Sequence, residues 1–223
     1  MNRIILPGAI ALAIVAGLVW WLTARPGPET VAPPETAVAE PAGEIDTSSV
    51  VEMTLGDAGA PVTVIEYASF TCPHCANFHK DQFKRLKADY IDTGKVRFVF
   101  RDVYFDRLGL WASMVARCGG SERFFGIAEM LFAQQRDWIG DGQDPVAVAD
   151  RLRRIGKAAG LEEDALDACL ADNDKAKTLV AWYQQHAEAD GVDSTPTLVV
   201  DGNTHSNMSY DDLGELVEKA LAE

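Results

Sequence analysis

The spacing of apolar residues changes period along the chain, and each change marks an element. Val62 to Ala68 (VTVIEYA) is β-branched and mostly apolar, which predicts a buried central strand. Val50 to Leu55 is a shorter apolar run stopped by Gly56-Asp57, which predicts an edge strand. After Cys72-Pro73-His74-Cys75 the period turns helical: Cys75, Phe78, Gln82-Phe83, Leu86 and Tyr90 share one face. Lys80, Asp81, Lys84, Arg85 and Lys87 fall mostly on the other, and Gly94 closes one continuous predicted helix. Val96 to Val103 predicts the next strand. Five helical patterns follow, centred on Leu108–Cys118, Phe124–Phe132, Val146–Ile155, Leu161–Leu170 and Leu179–Ala187, with Pro145 in the first turn of the third. Thr197 to Val200 is strand-like, Asp201-Gly202 marks a hairpin turn, and Thr204 to Ser206 supplies a return strand. Asp211 to Leu221 predicts a closing amphipathic helix.

The order is therefore β, β-α-β, an all-helical block, a β-hairpin and α. The helical block, about 105–191, is far longer than the dozen or so residues that a crossover between strands requires. It predicts an inserted helical subdomain within an α/β fold occupying residues 46–223.

The first 45 residues have a different character. Residues 4–22 carry no charge across nineteen positions, close to the ~20 needed to span a bilayer. Arg3 precedes them, which orients the remainder of the chain away from the cytoplasm. Two alternatives stay open for residues 1–22: a cleaved signal peptide, or an uncleaved anchor with Trp20-Trp21 at the membrane interface. Residues 23–45 are rich in Pro, Ala, Thr and Glu without an apolar period, which predicts an extended tether. The whole chain is 48% hydrophobic and 24% charged, which excludes a wholly disordered or fibrous protein. With 34 acidic against 20 basic residues the net charge is −14, and no basic patch exists to bind nucleic acid.

The candidate chemistry lies where the central strand meets a helix. Cys72 and Cys75 are three residues apart at a predicted helix start, spaced to form a disulfide. At that start, free backbone N–H groups and the positive end of the helix dipole favour a Cys72 thiolate. Pro73 suits the first helical position, and His74 can add a hydrogen bond or positive charge beside the sulfur. Stabilising the thiolate makes the disulfide a stronger oxidant. The alternatives are a permanent disulfide or half of a zinc site. A zinc site calls for a second close pair, whereas Cys118 and Cys169 are isolated, so no metal site is expected. His79, four residues after Cys75, is conceivable as a ligand, but an ordinary histidine on the helix surface is the expectation.

VIEYASFTCPHC, the long helical insertion, and STPT before the last hairpin together resemble the DsbA-type thiol-disulfide oxidoreductases of the thioredoxin superfamily, over about residues 48–223. The resemblance implies a thioredoxin-like fold, split into about 48–104 and 192–223 by the helical insertion. It implies that Cys72 is the exposed nucleophile and Cys75 its buried resolving partner. Thr195-Pro196 resembles the family's cis-proline loop, which offers the Thr195 backbone to a bound peptide. Glu66 matches the family's buried acid, able to relay a proton to or from Cys75; the alternative is an edge-exposed or salt-bridged glutamate. Cys118 and Cys169 fall on apolar helix faces, and they resemble a second pair carried by some DsbA-like proteins of the α-proteobacterial type. A structural or modulatory Cys118–Cys169 disulfide is expected, against two buried free thiols. Two departures touch loops near the groove: Val103-Tyr104 where many members have proline, and Ser206-Asn207-Met208 where a glycine is common.

The expectation is a periplasmic protein-dithiol oxidase, tethered to the inner membrane if residues 4–22 are retained. It acts as a monomer on reduced exported proteins, needs no cofactor, and is reoxidised by a DsbB-like membrane partner. The alternatives are a thiol reductase or disulfide isomerase on the same fold, or a metal-carrying or peptide-holding module.

Overall fold

The computed structural model describes residues 45–223. The expected membrane segment and, apart from Ile45, the expected tether lie outside them. Among the described residues no helix is long and apolar enough to cross a membrane.

One mixed sheet organises the fold, with strands ordered β1-β3-β2-β4-β5. β2 (Val62–Ala68) is its middle strand, as its apolar run predicts. It pairs parallel with β3 (Val96–Asp102) and antiparallel with β4 (Thr197–Val200). The edges are β1 (Met53–Leu55), antiparallel to β3, and β5 (Asn203–Ser206), antiparallel to β4 across the Asp201-Gly202 turn. β1 is shorter than the expected Val50 to Leu55 run: Val50 stays in the preceding turn, its N–H bonded to the Thr47 carbonyl. Strand alternation separates two cores. Val62, Val64 and Ala68 join Phe98, Phe100, Leu198 and Val200 in the larger one. Tyr67, Val103 and Val199 pack in the smaller one with Ala187.

The helix after Cys72 is not continuous. α1 (Pro73–Lys80) ends at Asp81, whose φ of −128° and ψ of −67° leave the helical region. α2 (Gln82–Leu86) follows, then a π-helical turn (Lys87–Ile91). The wider turn takes up an extra residue, so Tyr90 and Ile91 are both buried. Between β3 and β4 lie α3 (Arg107–Cys118), α4 (Gly120–Ala133), α5 (Gln135–Ile139), α6 (Pro145–Ala158), α7 (Glu163–Ala171) and α8 (Asn173–Ala189). Five of these match the helical periods; α5, a single turn and a half, carries too few residues to show one. α9 (Tyr210–Leu221) closes the chain, capped by the Ser209 hydroxyl accepting from the Asp212 N–H.

Buried and part-buried polar links fasten the surrounding segments to the sheet. The Arg117 guanidinium of α3 donates to Asp102 Oδ2 at 2.7 and 2.9 Å and to the Val51 carbonyl at 2.9 Å. On the other core face Arg101 donates to Glu52 at 2.7 Å, to the Tyr67 hydroxyl at 2.7 Å and to Asp190 at 3.0 Å. Cys118 and Cys169 form a disulfide that joins the end of α3 to α7.

Candidate active site

Cys72 stands at the seam between sheet and helix. Its backbone is extended (φ −80°, ψ 120°), it caps α1, and Pro73 fills the first helical position. The preceding turn is tied down from the helical block. Gln135 Nε2 of α5 donates to the Phe70 carbonyl at 2.8 Å and the Cys72 carbonyl at 2.9 Å. Thr71 Oγ1 donates to Asp106 Oδ2 at 2.6 Å, and Asp106 Oδ1 in turn accepts from the Gly109 N–H at 2.8 Å, capping α3. Gly109 packs closely there: a Cβ would lie 3.2 Å from Ser69 Oγ and 3.3 Å from Thr71 Oγ1, so those hydroxyls would have to give way by a few tenths of an ångström.

The two thiols are free and unequal. Cys72 is half-buried, and its thiol is held down at about 5. The largest cause is the hydrogen bond from the Cys75 thiol; partial burial opposes it, while Thr195 and the backbone N–H groups of Cys75 and His74 reinforce it. Cys75 is fully buried, and its thiol is pushed far above the ordinary range. Burial is the main cause, followed by its hydrogen bond to the Cys72 sulfur and the negative charge of Glu66. The pair therefore holds one proton, on Cys75, and one charge, on Cys72.

Thr195-Pro196 is a cis peptide bond, and the Thr195 carbonyl lies 3.4 Å from Cys72 Sγ. The Thr195 hydroxyl is buried with no hydrogen-bond partner among the described residues. Glu66 is fully buried on β2, between Phe100 of β3 and Leu198 of β4 in the strand register, so it is not at an edge. His74 is exposed. Its backbone N–H supports the thiolate, and its ring makes no hydrogen bond among the described residues.

His79 is placed differently from the sequence expectation. It is buried, not on the surface, and its Nε2 lies 2.8 Å from Glu66 Oε2. Phe132 stacks on its ring at 4.2 Å, and Phe83, Phe78 and Phe100 close around it at 4.6, 5.7 and 5.9 Å. The surface expectation failed because a histidine four residues after Cys75 shares the buried stripe, and that spacing was the available signal. Asp106 and Gln135 were also missed. They lie in loop and helical sequence with no distinguishing pattern, and only the tertiary fold brings them to the Cys72 turn.

The family model described as Thioredoxin matches residues 48–219. A Rickettsia bellii protein with the provisional name protein-disulfide oxidoreductase is 34% identical over 176 residues, covering 77% of this chain and 65% of its own length. The chain spans 61 to 65% of the length of that protein and its Rickettsia counterparts. Disulfide bond formation protein D of Bacillus subtilis is 29% identical over 175 residues, covering 75% of this chain and 76% of its own. Among solved structures, Wolbachia pipientis alpha-DsbA1 superposes with a TM-score of 0.69 at 28% identity, over 77% of this chain and 91% of that one. Oxidised BdbD from Bacillus subtilis gives 0.68 at 26% identity, over 77% and 94%.

Proposed function

The chain belongs to the thioredoxin family and is of DsbA type, and on that premise we propose that it is a protein-dithiol oxidase working through Cys72 and Cys75. One observation carries the choice of oxidation over reduction: the charged, half-exposed Cys72 sulfur held at about 5 beside a buried Cys75 that keeps its proton. Such surroundings stabilise the reduced form, and a disulfide whose reduced form is stabilised gives up its oxidising equivalents readily.

In the oxidised protein a substrate thiolate attacks Cys72 Sγ. The Cys72–Cys75 bond breaks, a mixed disulfide forms on Cys72, and its electron pair leaves on Cys75, which takes up a proton. A second substrate thiolate attacks the substrate sulfur of that mixed disulfide. The substrate leaves with a disulfide, and Cys72 leaves as a thiolate. Pro73 sets the start of α1, Glu66 and His74 flank the pair, and the Thr195 backbone before Pro196 pairs with the substrate strand. Cys118–Cys169 braces the helical block.

The substrates are reduced exported proteins, and a DsbB-like membrane protein reoxidises the pair. The charge-free run over residues 4–22 supports export to the periplasm, by cleavage or as a retained inner-membrane tether. The acidic chain acts as a monomer and has no nucleic-acid partner. The test is the reduction potential of Cys72–Cys75, from glutathione equilibration with alkylation of free Cys72. A value more oxidising than about −180 mV supports the oxidase, and one near about −270 mV overturns it in favour of a reductase.

A further inference from the structure

Each turn of the dithiol cycle moves a proton at an atom that solvent does not reach. Cys75 is 0% exposed, and its sulfur must gain a proton on reduction and lose it before attacking a mixed disulfide on Cys72. Glu66 is equally inaccessible, so a carboxylate alone leaves the proton stranded in the core. We propose that His79 is the outer half of a two-residue proton path, His79–Glu66, linking the surface grooves beside α1 to Cys75. The inference rests on the dithiol-exchange reading above.

Three features support it. The Glu66 Oε2 to His79 Nε2 hydrogen bond is 2.8 Å long and buried, and imidazole is the side chain that takes a proton on one nitrogen while releasing one from the other. Glu66 Oε1 is buried and has no hydrogen-bond partner among the described residues, so one carboxylate oxygen is free to hold a proton in transit. His79 also lines two separate surface grooves of about 450 Å³ each. One runs along α1 from Pro73 to α5, and the other lies between α2, the π turn and α4. A histidine needed only to fill an aromatic box has no reason to open onto both.

The charges facing the ring leave the path with one inner partner. Lys84 of α2 and Glu129 of α4 line both grooves and pair with each other at 3.6 Å, in solvent. Lys80 of α1 and Arg136 and Asp137 of α5 line the first groove. Lys87 and Asp92 line the second and pair at 2.6 Å. Only Glu66 makes a hydrogen bond to the ring among the described residues. His79 touches neither sulfur in this scheme; it is a positioning residue that acts through Glu66.

The test uses the reduced full-length protein and oxidised glutathione. The rates of mixed-disulfide formation at Cys72 and of its resolution by Cys75 are followed against pH, in water and in deuterium oxide. H79F fills the aromatic box without a titratable group. H79Q keeps a hydrogen bond to Glu66 but cannot pass a proton between two nitrogens. Formation is expected to be unchanged in both, and resolution slower by about a hundredfold, with an altered pH profile and solvent isotope effect. In H79A, added imidazole is expected to enter through the grooves and restore resolution. H79Q resolving at the wild-type rate overturns the proposal, as do slow variants with the wild-type pH profile and no imidazole rescue. Wild-type protein that exchanges no thiols with glutathione overturns the oxidase reading, and this inference with it.

Discussion

Cys72 keeps its charge because the Cys75 thiol and the backbone N–H groups in the first turn of α1 converge on one sulfur. Ultraviolet absorbance of the thiolate should titrate at about 5 in the reduced protein. Cys75→Ala removes the largest of those donors, so the midpoint should rise toward 9.0, the ordinary value. A midpoint that stays in place would show that Thr195 and the helix start suffice alone. Gln135 makes a second prediction at this scale. Gln135→Leu takes the side-chain donor from the Phe70 carbonyl and leaves the Cys72 carbonyl only its bond from the Ala76 N–H, which should cost about 1–3 kcal/mol in urea unfolding. Cys72 was legible in the sequence because its spacing to Cys75 and its place after an apolar strand are local. Gln135 was not, since its partners lie 63 and 65 residues away and no local pattern marks them.

Elements assemble here through buried polar ties as well as apolar faces. α3 is held to the end of β3 by Arg117 and Asp102, whose side chains are 3% and 1% exposed. Arg117→Met leaves the Asp102 carboxylate buried and unpaired, which should cost about 3–5 kcal/mol. Unfolding midpoints of R117M and of the double variant R117M/D102L check the assignment, because removing both charges should recover most of the loss. The disulfide between α3 and α7 closes a loop of 51 residues. In the chain-entropy model it contributes about 4 kcal/mol, so C118S/C169S should lower the unfolding free energy by up to that amount. At this scale the apolar periods predicted β2, β3, β4 and five of the helices of the insertion, because each buries a face of its own. The break at Asp81 and the π turn were not legible. They depend on where Phe83, Tyr90 and Ile91 meet the sheet, and the helical spacing continues smoothly across both.

For the whole molecule, the redox state of one pair of sulfurs and the stability of the fold are linked through the proton. In the folded dithiol form Cys72 loses its proton at about 5, and in the unfolded chain near the ordinary 9.0. Between those values the unfolded chain binds a proton that the folded protein lacks, so the stability of the reduced protein rises with pH across that window. The contribution is complete above the unfolded value and is lost as pH falls through the folded one. Cys75 is shifted the other way and holds its proton in both states below 9.0, so it adds no slope there. The oxidised protein has neither thiol to titrate and lacks this dependence. Urea midpoints of reduced and oxidised protein should therefore diverge in favour of the reduced form at about pH 8 and draw together toward about pH 5. A gap that is the same at both pH values would place the source of the oxidising power outside the Cys72 thiolate. A gap of the opposite sign would mean that the fold favours its disulfide, and such a protein retains oxidising equivalents that an oxidase must give away.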